Sequence, residues 1–141
     1  LPLNLLPAGE ALPLIAYFQA PVPAAYNISV EADFLLPVMP EDDRYLDATI
    51  IERNLDFRQN GKQADLSGEI AFAPGSLADY VWVQATAYDD GGRVVGVRRW
   101  EHQGPIPSDG NLPFNFSVYS LAGAIERVGL LVEAQAPSDG E

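Results

Sequence analysis

The sequence predicts an all-β protein built as an antiparallel β-sandwich, and three observations lead to this prediction. Short runs rich in Val, Ile, Phe and Tyr are punctuated by 12 Gly and 12 Pro, which leaves few windows long enough for a helix. Hydrophobic residues make up 48% of the chain and charged residues 20%, which is enough apolar material for a packed core. Within the runs, apolar and polar residues alternate with period two, as in strands that bury one face.

Six segments show this alternation strongly enough to be predicted as strands. They are residues 47–57, 66–72, 80–88, 94–100, 114–118 and 128–134. Arg53 interrupts the first pattern, which indicates a β-bulge or an edge position. The third segment is substantial on both faces, with small apolar residues on one and Tyr, Trp, Gln and Thr on the other. A single helical turn is predicted for residues 121–125.

Two turns predict how neighbouring strands are joined. Asn60-Gly61 is typical of a hairpin turn between the first two strands. Asp89-Asp90-Gly91-Gly92 predicts the hairpin between the third and fourth strands, since Asp and Gly favour the backbone angles of tight turns. The acidic pair is therefore interpreted as turn chemistry rather than as the paired carboxylates of a glycosidase.

The two ends of the chain resemble each other. Residues 6–18 match residues 106–118 at an offset of 100, and residues 26–32 match residues 128–134 at an offset of 102. A period of about 100 residues is the size of an immunoglobulin-like sandwich. We therefore expect residues 1–38 to be the last two strands of a preceding repeat, 39–44 a linker, 45–136 a complete sandwich and 137–141 a tail.

Residues 1–38 carry too much apolar surface to remain solvated, because a two-stranded hairpin alone is marginally stable in water. We expect them to dock on an edge of the complete sandwich by strand addition, or to pair with the same segment of a second chain as a homodimer. The acidic residues 41–43 of the linker have one alternative interpretation, as ligands of a calcium ion, which needs six to eight oxygen atoms.

Composition excludes several functions. The net charge of −12, with no Lys or Arg in residues 1–43, argues against nucleic acid and anionic membranes as partners. The absence of cysteine excludes disulfides and thiol catalysis. No run of 18 apolar residues occurs to cross a membrane, and the first residues lack the basic region of a signal peptide. We expect that a leader was removed or that the chain is part of a longer protein whose anchor lies elsewhere.

No catalytic machinery is predicted. His102 is the single histidine, so a Ser-His-Asp triad would have to include it. Its polar context, Glu101-His102-Gln103-Gly104-Pro105, predicts an exposed loop instead. Phosphate-binding, dinucleotide-binding and nucleophile-elbow motifs do not occur. We therefore expect a non-enzyme without a cofactor or a metal.

The residues around the second hairpin, Ala85-Thr86-Ala87-Tyr88-Asp89-Asp90-Gly91-Gly92-Arg93-Val94-Val95-Gly96, resemble the signature region of the FxLYD family. The later Leu112-Pro113-Phe114-Asn115-Phe116 is similar to the strand that follows in that family. The resemblance covers roughly residues 63–119, and Ala85 and Ala87 stand where the family has Phe and Leu. It implies an immunoglobulin- or fibronectin-III-like module of bacterial or archaeal exported proteins and lipoproteins, with no catalytic residues to carry over.

One group of residues on the second hairpin is a candidate ligand site. It consists of Tyr88, Arg93, Arg98, Arg99 and Trp100, near Trp82. Arg and Trp are favoured interface anchors, and exposed aromatic rings can stack on sugars. The structural alternative makes Trp82 the packed core tryptophan and lets the arginines pair with neighbouring acids.

The sequence thus predicts a non-catalytic extracellular or cell-surface repeat module that acts as a spacer or as a protein-interaction domain. The alternative function is a carbohydrate-binding module that uses Trp100, Tyr88 and the nearby arginines.

Overall fold

The computed structural model describes residues 3–14, 29, 31, 36–39 and 42–137. Six strands form within these residues, and no helix does. The strands are β1 (Ala48–Arg58), β2 (Gln63–Phe72), β3 (Tyr80–Tyr88), β4 (Val94–Gln103), β5 (Asn111–Tyr119) and β6 (Arg127–Gln135). The six strands predicted between residues 47 and 134 are confirmed, and most extend by a few residues beyond the predicted limits. The helical turn predicted for residues 121–125 is wrong, because these residues form a bend and a short irregular segment.

The strands form two antiparallel sheets of three strands each. One sheet has the order β1-β2-β5 and the other the order β4-β3-β6, so β3 and β2 are the central strands. The all-β prediction is confirmed, and the arrangement is consistent with a β-sandwich. Buried side chains from both sheets pack together in the core, as two facing sheets require.

The core lies between the sheets and is centred on β3. Val81 and Val83 are fully buried and pack with Ile70 and Phe114 of the other sheet. A second cluster continues the core toward the β3–β4 hairpin; its buried members are Ala64, Leu66, Ala85, Ala87, Val95, Val118 and Ile125. Phe116 of the other sheet, and Leu130 and Val132 of the neighbouring strand β6, also pack against this cluster.

Strand β1 is an edge strand with a bulge. Its register with β2 shifts between Ile50 and Glu52, which leaves Ile51 as the extra residue. This confirms the prediction drawn from Arg53, although the bulge lies two residues earlier. The Asn60-Gly61 turn is also confirmed, with positive φ at Asn60 and at Gly61.

The chain before β1 touches the sheet of β6. Leu46 donates a backbone hydrogen bond to Ala134 (3.0 Å), and Ala136 donates one to Arg44 (2.9 Å). From there the chain crosses to the other sheet and becomes β1. The strands predicted within residues 1–38 fall largely outside the described residues, while residues 3–14, which are described, contain no strand.

Candidate functional site

The structure does not bring the five predicted ligand residues together. Tyr88 and Arg99 lie on the outer face of the β4-β3-β6 sheet, since Arg99 lies opposite Gln84 and Tyr88 shares the face of Gln84 on β3. Trp100 and Arg98 lie opposite Val83 and Ala85, whose side chains point into the core. Arg93 belongs to the turn and not to a strand. Any ligand that used all five would have to contact both faces of the sheet.

Trp100 is the tryptophan of the core. Its ring packs against the core cluster, 6.1 Å from the ring of Phe114, and the ring of His102 stacks on it at 6.1 Å. The assignment of Trp82 to the core is therefore wrong. The prediction of His102 in an exposed loop is also wrong, since His102 is a half-buried residue of β4 whose ring nitrogen faces the Pro105 carbonyl oxygen at 3.5 Å.

Trp82 instead belongs to an outer-face cluster on β3 and β4, whose members are Tyr80, Trp82, Arg99, Glu101 and Gln103. The rings of Tyr80 and Trp82 are parallel within 4° and 5.3 Å apart. The Trp82 indole N–H donates to Glu101 (2.8 Å), and the Arg99 guanidinium lies 5.6 Å from the indole centre. Gln103 donates to the Tyr80 hydroxyl (3.1 Å). Hydrogen bonds and ring contacts thus hold the two aromatic rings in place.

Tyr88 is covered by a cation. The guanidinium carbon of Arg127 lies 3.7 Å from the centre of the Tyr88 ring, at the beginning of β6. Such a contact occupies one ring face of Tyr88. Trp82 has a comparable contact with Arg99, and Tyr80 is the aromatic residue of this face that sequence reasoning did not select.

Between the aromatic ends of β3, two polar side chains on the outer face are buried. Gln84 is 1% exposed and Thr86 is 4% exposed. The Gln84 side-chain amide donates to the Ala85 carbonyl oxygen (2.9 Å), whereas its own oxygen has no hydrogen-bond partner among the described residues. Sequence alternation alone predicts these residues as solvated.

Glu133 is a buried carboxylate that holds the start of the described chain. It is 1% exposed and accepts hydrogen bonds from the backbone N–H groups of Asn4 (2.6 Å) and Leu5 (2.9 Å). The side-chain amides of Asn4 and Gln135 each add a hydrogen bond of 3.0 Å. Leu3, next in the chain, is 2% exposed. We call Glu133, Asn4, Leu5 and Gln135 the Glu133 clamp.

The Asp89 turn is confirmed as turn chemistry. Its carboxylate accepts the Arg93 backbone N–H (2.9 Å) and the Arg93 guanidinium Nε (2.8 Å), and Arg93 also completes an ion pair at 2.7 Å. These contacts, the side-chain hydrogen bond first, lower the pKa of Asp89 below its ordinary 3.8. Arg93 is thus already committed to a structural ion pair.

The outer face of the other sheet carries a polar cleft of about 490 Å³ beside β1, β2 and β5. At its centre Asp65 accepts hydrogen bonds from the Ser117 hydroxyl and the Gln63 amide, both at 2.6 Å, and pairs with Arg58 at 2.6 Å. The Ser117 and Gln63 hydrogen bonds are the main reasons that the pKa of Asp65 lies below 3.8. The carboxylate is satisfied by its neighbours, as expected of a structural network.

The linker carboxylate of Asp42, one of the alternative calcium ligands, pairs with a neighbouring arginine. Asp42 accepts two hydrogen bonds from the Arg44 side chain, at 2.6 and 2.8 Å, which lower the pKa of Asp42 below its usual value. Within the described ranges, no group of three or more His, Asp or Glu side chains has the geometry of a metal site.

Comparisons of this chain with protein-family models, with curated proteins and with solved structures found no match. The described part of the chain also contains no helix of the length and apolarity that membrane crossing requires.

Proposed function

We propose that this chain is a non-catalytic, immunoglobulin-like module of an exported or cell-surface protein, and that it serves as a semi-rigid spacer. The sheet architecture and the resemblance to FxLYD repeats support the class of module. The Glu133 clamp is the observation that carries the spacer role, because it binds residues 4 and 5, which precede the linker, to the C-terminal end of β6.

A spacer transmits orientation only if its incoming segment is held to the folded domain rather than tethered by a free linker. Linkers without contacts behave as flexible chains. Here residues 4 and 5 are bound to β6, and Arg44–Leu46 pair with the same end of that strand. Both ends of the intervening segment, residues 6–43, are therefore attached to one place on the sandwich.

The clamp can be tested by the substitution Glu133→Gln. A glutamine keeps the size of the side chain but has one acceptor oxygen in place of two and no charge, so two of the four donors that Glu133 accepts from face an N–H₂ group, at a cost of about 1–3 kcal/mol. We expect the amides of Asn4 and Leu5 to exchange hydrogen much faster in the variant. Glu52→Gln, at an exposed position of β1, is the matched control.

Unchanged exchange at Asn4 and Leu5 in Glu133→Gln, together with unchanged thermal stability, would show that the clamp does not order the segment. The spacer proposal would then fail. Faster exchange in both variants would point to general loosening of the sandwich and would equally contradict a specific clamp.

Glycan binding is a second candidate, favoured by the parallel rings of Tyr80 and Trp82. Sugar rings stack on aromatic faces, and Glu101 and Gln103 beside the rings supply polar groups for hydroxyls. The substitution Trp82→Ala should abolish binding on a glycan array, whereas Tyr119→Ala removes an exposed aromatic elsewhere and should not. An array on which the unsubstituted chain binds no glycan would exclude this function.

A further inference from the structure

The sandwich is open along one side, between β1 and β6. On β1, Leu55 and Phe57 lie opposite the buried residues Leu66 and Ala64 and so face the core side, yet they are 41% and 43% exposed. Across the gap, Leu130 of β6 is only half-buried and lines a cleft of about 300 Å³ with the bulge at Ile51. These inward-pointing apolar side chains remain exposed, and among the described residues no named strand lies beside β6 on this side.

The free edge of β6 has its backbone groups turned outward. Ala134 accepts its hydrogen bond from Leu46 on this edge, and alternate residues of a strand direct their backbone groups to the same edge. The N–H and C=O groups of Val128, Leu130 and Val132 therefore face outward too. Within the described ranges, only Arg44–Leu46 pair along this edge, at its C-terminal end.

We propose that a second copy of this chain occupies the open side, with β6 of one copy paired antiparallel to β6 of the other. The occupant is argued from the sequence of β6, which is complementary to itself about Leu130. With Leu130 on the twofold axis, Val128 lies opposite the second copy's Val132, both on the core side. Leu130 itself lies opposite the second copy's Leu130, so the core side of the shared seam is apolar throughout.

This pairing would supply hydrogen-bond partners for the backbone groups of the β6 edge and would cover the exposed side chains of Leu55 and Phe57. The edge groups of three residues in each copy form about six hydrogen bonds between the chains. The second copy's β6 also takes the position beside β6 from which its side chains cover Leu55 and Phe57. The β4-β3-β6 sheets of the two copies then join into one continuous sheet of six strands, and the exposed edge of β6 is removed.

The absence of cysteine makes a direct test possible. Residues opposite each other in a hydrogen-bonded antiparallel pair have Cα atoms about 5.5 Å apart, within the range of a disulfide. We expect Leu130→Cys to form a covalent dimer under mild oxidation. Leu121→Cys, at a position 90% exposed and remote from β6, is the matched control and should remain monomeric.

Sedimentation of the full chain gives the second measurement. We expect a monomer–dimer equilibrium that tightens as salt is raised, because each copy carries a charge of −12 and repulsion is screened. Leu55→Lys buries a cation in the dimer and should weaken it at least about tenfold, while Leu121→Lys should have no effect.

Several outcomes would overturn the proposal. The chain could sediment as a monomer up to millimolar concentration, or the two cysteine variants could cross-link equally. A monomer in which the amides of Val128, Leu130 and Val132 are protected from hydrogen exchange would show that a segment of the same chain covers the edge. Filaments would indicate head-to-tail pairing. None of these outcomes bears on the Glu133 clamp, so the spacer role is tested separately.

Discussion

The two sides of the sandwich are closed in different ways. On the side of β4 and β5, Leu121 donates a backbone hydrogen bond to Val95 (2.8 Å), and Gly96 lies so close to Tyr119 that the strands meet. On the side of β1 and β6, inward-facing apolar residues remain accessible. The same alternating pattern therefore gives a packed edge on one side and, among the described residues, an edge with accessible apolar side chains on the other.

The largest expected effect compares two phenylalanines. Phe114 is 3% exposed in the core, so Phe114→Ala should lower the free energy of unfolding by about 3–5 kcal/mol, from lost burial and the cavity left behind. Phe57 lies on the open side, and Phe57→Ala in dilute solution should cost about 1 kcal/mol or less. Urea denaturation of both variants measures the difference. Equal losses would show that the open side is packed in solution.

The strands were predictable because period-two alternation is local, and so were the two hairpin turns. The inner and outer faces of β4 were not. In the β3–β4 register, Gly96 pairs with Ala87 and Val94 pairs with Tyr88, so Val95 is an extra residue that forms a bulge. The bulge shifts the phase of the alternation along the rest of β4. Sequence alone therefore could not decide whether Trp82 or Trp100 faces the core.

The Glu133 clamp could not be predicted from the sequence, for a different reason. Its backbone donors lie 128 and 129 residues away in the sequence, and no local pattern reports such a contact. The one available signal was a carboxylate within the apolar run of residues 128–134. Burial of that carboxylate requires partners, but the sequence does not say which ones.

Substitution of two glycines tests the difference between the packed side at β4 and β5 and the open side at β6. A Cβ atom on Gly96 would lie 2.3 Å from the Tyr119 backbone oxygen, so Gly96→Ala must move one strand and should cost about 1–3 kcal/mol. On β6, a Cβ atom on Gly129 would make an ordinary 3.6 Å contact with the Tyr88 ring. Gly129→Ala should be neutral or stabilising by about 0.4–1 kcal/mol. Thermal melting of the two variants would refute the contrast if both melted alike.

The smallest effect concerns the turn that connects β3 and β4. The pKa of Asp89 is lowered in the folded chain by the Arg93 side-chain and backbone hydrogen bonds, whereas in the unfolded chain it returns to about the ordinary 3.8. The unfolded state therefore binds more protons in acid. The stability from Asp89 is complete above that ordinary value and is lost as the pH falls through the lower folded pKa.

Asp89→Asn should therefore lower the melting temperature near pH 7 by less than Gly96→Ala does. It should also flatten the decline below pH 4, so that the variant and the unsubstituted chain converge at the acid end. Asp90→Asn, at the exposed neighbouring position, is the matched control. Melting curves from pH 2 to pH 7 measure the effect. A difference between Asp89→Asn and the unsubstituted chain that stayed constant across this range would show that the carboxylate contributes to the turn through its shape alone, and not through its charge.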